Sequence, residues 1–192
     1  MSASARLLAV VFPGIGYTPD KPLLYYGAKL AARCGYEVVR ITYGGFERDI
    51  RGNQQKMADA FASAVEQAGK QLAPLALTAE DDIVFLSKSV GTGVSLLYAK
   101  EHGLRPRSVL YTPLLSTFTL PCGDAIAFHG TADPWAPDND AIATAALGQG
   151  VPFYTVADAN HSLETGDVER DLTTLSDVMR KTQAFLTGEA SL

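Results

Sequence analysis

The chain has 192 residues, which suits one domain, 1–192, with a substantial buried core. At 47% hydrophobic and 19% charged, it has the composition of an ordinary soluble globular protein. A net charge of −5 argues against a nucleic-acid binder and against an anionic membrane surface as partner.

The apolar run Leu7–Phe12 is too short for a signal peptide and is followed by Pro-Gly-Ile-Gly. No segment reaches the ~20 apolar residues that span a bilayer. Cys34 and Cys122 are too few for a disulfide framework and lack metal-type spacing. The expectation is a cytoplasmic protein with two free thiols, no metal and no membrane span.

In chain order, Arg6–Phe12 reads as a buried strand and Asp20–Cys34 as a helix ending before Gly35. Glu37–Thr42 is a second strand, and Gly44–Asn53 a polar loop carrying Arg48 and Arg51. Asn53–Leu72 has helical spacing at Met57, Phe61, Ala64, Val65 and Ala68. Asp82–Ser87 is the third strand and Gly91–Glu101 the next helix; Ser108–Thr112 and Ala125–His129 are the fourth and fifth strands. Asp138–Leu147 (helix), Phe153–Val156 (strand) and Val168–Leu186 (helix) close the chain. Short apolar strands alternating with longer amphipathic segments predict a parallel sheet covered by helices on both faces. In such sheets the reactive groups gather where strands end at their carboxyl edge.

After the first strand, Gly14 and Gly16 begin a dinucleotide-type glycine pattern, but Pro19 stands where its third glycine belongs. The alternatives are a tight glycine turn, or a loop whose amides face a substrate oxygen. After the third strand comes Ser87-Lys88-Ser89-Val90-Gly91. A strand–turn–helix that presents a central serine needs small residues two positions either side, and Ser87 and Gly91 supply them. The following helix aims its first amides at the turn, where negative charge develops in acyl transfer. Lys88 is expected to face away from the site or into solvent.

A serine needs a base, and the base an orienting acid. Of three histidines, His102 lies more than two helical turns from the elbow and His129 reads as structural, leaving His161 after the last strand. Asp133 follows the fifth strand. Singly, Ser89, Asp133 and His161 read equally well as a helix cap, a turn residue and an exposed loop histidine. Together they follow three parallel strands, open on one sheet edge, and run in the order Ser, Asp, His.

With these pieces the chain resembles the α/β-hydrolase superfamily: FLSKSVGTG at the elbow, FHGTADPWAP at the acid loop and DANHSLE at the histidine loop. The resemblance spans Arg6 to Leu186 and lacks the family's first two strands. It implies a three-layer α/β/α sandwich with a mostly parallel six-stranded sheet ordered 2-1-3-4-5-6. It also implies Ser89 as nucleophile, His161 as base, Asp133 as its orienting acid, and the Val90 and Ile15 amides as oxyanion hole. No cofactor is then required. Pro113–Asp124, twelve residues, is too short for the helical lid many members carry. Tyr17, Leu115, Phe118 and Trp135 are the candidate pocket for a small-molecule acyl substrate, with core packing the alternative for some of them. The functions implied are ester or thioester hydrolysis, an amidase or peptidase on the same triad, or a binding protein that keeps the fold without catalysis.

Overall fold

The computed structural model describes residues 5–189; the first four residues of the N-terminal stretch lie outside it. Six strands, β1 (Leu7–Phe12), β2 (Glu37–Arg40), β3 (Asp82–Lys88), β4 (Arg107–Tyr111), β5 (Ala125–Gly130) and β6 (Phe153–Val156), form one parallel sheet ordered β2-β1-β3-β4-β5-β6. Five helices cover it: α1 (Pro22–Arg33), α2 (Gln54–Leu72), α3 (Val90–Glu101), α4 (Asn139–Gly148) and α5 (Val168–Thr187).

The strands are apolar on both faces because both are covered. From β1 and β3, Ala9, Val11, Val84 and Leu86 pack with Leu24 and Ala28 of α1 and Val178 of α5. The alternate residues Val10, Phe12, Ile83 and Phe85 pack with Ala64 and Ala68 of α2 and Val94 of α3. Leu110 and Ala127 face Ile142 and Ala146 of α4 in a third cluster. Three of the helices start on a side-chain cap: Asn53 accepts from the Lys56 amide, Asp138 from Ala141, and Asp167 from Glu169 and Arg170.

The predicted second strand is shortened. β2 stops at Arg40 because it is an edge strand and the Thr42 amide is taken by the Gln71 side chain of α2 at 3.0 Å. β3 runs one residue further than expected because Lys88 stays in register with Tyr111 and the Ser89 amide donates to the Tyr111 carbonyl. Between β4 and β5 the chain makes a short 3₁₀ turn, Leu115–Thr119, held to α4 by Gln149, whose amide donates to the Phe118 and Leu120 carbonyls. Among the described residues no helix is long and apolar enough to cross a membrane.

Candidate active site

Ser89 lies between β3 and α3 with φ +56° and ψ −125°, a conformation that strains any residue with a Cβ. The turn closes because its neighbours are small. A Cβ on Gly91 would lie 2.4 Å from the Pro13 carbonyl oxygen, so α3 rests directly on the backbone that follows β1. Two residues before Ser89, Ser87 is fully buried and donates its hydroxyl to the Val109 carbonyl of β4 at 3.2 Å. On the helical side, Thr92 donates to the Ser89 carbonyl at 2.6 Å and contacts the Thr117 hydroxyl at 2.7 Å, tying the 3₁₀ turn to the elbow.

Three strand ends bring the sequence candidates together. Ser89 Oγ is 2.7 Å from His161 Nε2, and His161 Nδ1 is 2.6 Å from Asp133 Oδ2. The other carboxylate oxygen of Asp133 accepts from the Trp135 amide at 2.9 Å. The acid is 1% exposed. Burial pushes its carboxyl up, but the hydrogen bond and charge of His161, with the Trp135 amide and Lys88, outweigh this and hold it below the ordinary carboxylate range. Burial is the largest influence on the His161 imidazole and pushes it down; Asp133 raises it by its hydrogen bond and charge, Lys88 and His129 push it down, and the net effect is a lowering. The pair therefore rests as carboxylate and neutral imidazole, with Nε2 free to accept the serine proton.

The histidine loop is held by residues that the sequence reading passed over. The Thr112 hydroxyl, just past β4, donates to the His161 carbonyl at 3.0 Å. The Asn160 side chain accepts from the Ser162 amide at 2.7 Å, an Asx turn that an asparagine directly before the histidine could have signalled. At the end of β5, a Cβ on Gly130 would lie 2.3 Å from the Ala159 carbonyl oxygen, so the fifth strand and the histidine loop touch backbone to backbone. The Trp135 ring lies 5.7 Å from the His161 ring.

Gly14 flanks Ser89, since a Cβ there would lie 3.1 Å from Ser89 Cβ. Gly14 and Tyr17 exchange two backbone hydrogen bonds around Ile15-Gly16. Val90 opens α3, and the first amides of a helix have no partner within it. His102 bonds the Tyr98 carbonyl at the far end of α3, and His129 is buried against Asn139, so neither approaches Ser89.

The four pocket candidates separate. Leu115 and Trp135 line an open groove of about 530 Å³ with Arg51 and Met57. That groove shares Gln54, Met57, Leu114 and Ser116 with a cavity of about 350 Å³ lined by Phe61, Val90 and Leu120. Phe118 is instead buried with Leu96 and Ile142 in the third core cluster, because the 3₁₀ turn rolls its side chain inward. Tyr17 is buried on the α1 face of the sheet, its hydroxyl accepting from the Leu23 amide at 3.1 Å. Lys88, expected to face away from the site or into solvent, is fully buried. It shares a face of β3 with Val84 and Leu86, which directs it beneath Tyr17.

No family model matches the chain, and no curated protein matches it in sequence. Solved structures do. A protein of Xanthomonas campestris pv. campestris assigned to the α/β hydrolase superfamily is 18% identical, with 95% of this chain and 99% of that one covered and a TM-score of 0.67. A protein of unknown function from Agrobacterium tumefaciens, also assigned to the α/β hydrolases, is 18% identical over 97% of this chain and 88% of that one, with a TM-score of 0.64. A lidless α/β serine hydrolase of Xanthomonas campestris is 16% identical over 100% and 87%, with a TM-score of 0.56. Matched over nearly its whole length to such structures, the chain has the α/β-hydrolase fold.

Proposed function

We propose that the protein is a serine hydrolase that cleaves an ester or thioester through an acyl-enzyme on Ser89. The observation that carries this reading is the unbroken relay from Ser89 Oγ through His161 to Asp133, with separations of 2.7 and 2.6 Å. Ser89 attacks the substrate carbonyl as its proton passes to His161 Nε2, and Asp133 stabilises the imidazolium that forms. The oxygen that gains charge is met by the Val90 amide and, across the turn, by the Ile15 amide. His161 returns the proton to the departing alkoxide or thiolate. Water then attacks the acyl-enzyme, losing its proton to His161, and Ser89 is released.

The shape of the surroundings favours an apolar acyl group. The cavity of about 350 Å³ begins at Val90, next to the nucleophile, and its walls include Met57, Phe61, Leu97 and Leu114. The more open groove beside Trp135 and Arg51 is where the alcohol or thiol portion would leave. We place the protein in the cytoplasm, in keeping with its two free cysteines.

A fluorophosphonate probe tests the assignment. The wild-type protein is expected to label and Ser89→Ala is not. Labelling that persists in the variant removes Ser89 from its role, and failure of the wild type to label favours a binding protein on the same fold. Acyl esters and thioesters of graded length then report the cavity: kcat/KM is expected to rise with chain length until the cavity is filled.

A further inference from the structure

The hydrolytic relay leaves one buried ionisable group unused. Lys88 immediately precedes the nucleophile and is 0% exposed. Its Nζ has no hydrogen-bond partner and sits 4.8 Å from the centroid of the Tyr17 ring. An ammonium enclosed without a partner is costly, and a methionine or leucine would fill the same space without that cost. The Tyr17 ring also carries Lys21, whose Nζ is 5.3 Å from its centroid.

Apart from α1, whose buried residues are apolar, the elements around this compartment bring charge or a titratable group. The segment after β1 brings Tyr17 and Lys21, and the β5 loop brings Asp133, the strongest attraction on Lys88. The histidine loop brings His161, on which Lys88, Asp133 and His129 all act, and Glu164, which acts on Tyr17. From β4, Tyr111 faces Tyr17 with its hydroxyl on Thr182. Of all these, Asp133 and His161 are the two that take part in the relay.

We propose that Lys88 is a positioning residue for the hydrolytic reaction, keeping His161 a neutral, competent base to lower pH than Asp133 alone would allow. The inference rests on the reading of Ser89, His161 and Asp133 as a catalytic relay. As an ammonium, Lys88 favours the Asp133 carboxylate and opposes a second positive charge on the imidazole. Burial pushes Lys88 itself down to about 7, so it loses its charge near neutrality. Above that pH it no longer opposes the imidazolium that forms as Ser89 attacks. Below that pH it opposes the imidazolium at rest and during attack alike, so it extends the working range on the acid side by less than it shifts His161, and it leaves the rate at higher pH untouched.

The test follows the His161 imidazole by NMR from pH 4 to 8 in wild type and Lys88→Met, alongside the rate of fluorophosphonate labelling. In Lys88→Met the imidazole midpoint is expected to rise by about half a pH unit or more. Labelling at pH 5.5 should then fall, by up to about threefold relative to its plateau, with the plateau itself unchanged. In the wild type, the His161 resonance should show a second inflection coincident with titration of the Lys88 side chain. Superimposable His161 titrations in the two proteins overturn the proposal. So does a lowered plateau with an unmoved acid limb, which marks a purely structural lysine. If Lys88→Met does not fold, the wild-type titration decides: Lys88 titrating near its ordinary ~10.4, with one inflection at His161, is again fatal. Absence of labelling in the wild type sinks the hydrolase reading instead, while the imidazole titration still reports on Lys88.

Discussion

At the scale of single residues, the proposed nucleophile Ser89 is held in a backbone conformation that an L-residue resists. Such a conformation costs about 1–3 kcal/mol and persists only where its surroundings enforce it. Ser89→Ala keeps the Cβ and the strain, whereas Ser89→Gly removes both. We expect Ser89→Gly to be more stable than Ser89→Ala by about 1 kcal/mol in urea unfolding, with both unable to label. Equal midpoints would mean that the elbow stores no strain. At the other end of the relay, Asp133→Asn keeps the size of the side chain but removes the negative charge that orients and stabilises the imidazole. A fall in kcat of about 10⁴-fold is expected, with little change in KM. In the proposed mechanism the base, His161, sets the acid limb. Burial holds the His161 imidazole below its ordinary value, so activity should rise with pH through a midpoint lower than about 6.5. A midpoint above that value in the kcat/KM profile would contradict the burial argument.

At the scale of elements, the site is an agreement among strand ends, and two backbone contacts enforce it. α3 meets the end of β1 at Gly91, and the histidine loop meets the end of β5 at Gly130. Gly91→Ala must push α3 away from Pro13, moving the Val90 amide with it. We expect a loss of about 1–3 kcal/mol in urea unfolding together with slower probe labelling; unchanged labelling would detach the Val90 amide from the chemistry. These contacts explain what the sequence could convey. Runs such as Leu7–Phe12 and Ile83–Leu86 are apolar because both faces of the sheet are covered, so the strands were legible. The relay was legible because Ser89, Asp133 and His161 each follow one of those strands. The shortened β2 was not, since its end depends on Gln71, 29 residues further along and on another element. Phe118 and Leu115 lie in one short turn with opposite fates, one buried and one exposed, and only the packing of that turn on α3 and α4 distinguishes them. Thr112 gave no local sign of its bond to the His161 carbonyl, which joins residues 49 apart in sequence.

At the scale of the whole molecule, Lys88 shows why a polar stretch is a poor guide to exposure. Beside two serines it reads as part of a wet turn, yet strand alternation places it, fully buried, under Tyr17. Its burial makes global stability depend on pH in a direction that can be worked out. The side chain titrates at its ordinary value in the unfolded chain and at about 7 in the folded one. Between those values the unfolded chain binds more protons, so the contribution of Lys88 to stability rises as pH rises through this window. Well below pH 7 the buried ammonium exerts its full cost, up to about 5 kcal/mol. Above about 10.4, where both states are neutral, that cost is absent. Tyr17, which lies against Lys88, titrates above this window, since burial raises it to about 12. Groups remote from Lys88 are common to both proteins and cancel in the comparison with Lys88→Met. Urea unfolding at pH 7, 8 and 9 should therefore find Lys88→Met more stable than wild type at pH 7, by a margin that narrows by up to about 1.4 kcal/mol with each pH unit. A margin independent of pH would mean that Lys88 keeps the same charge in both states across this range, and that a neighbouring carboxylate, rather than the loss of a proton, stabilises it in the fold.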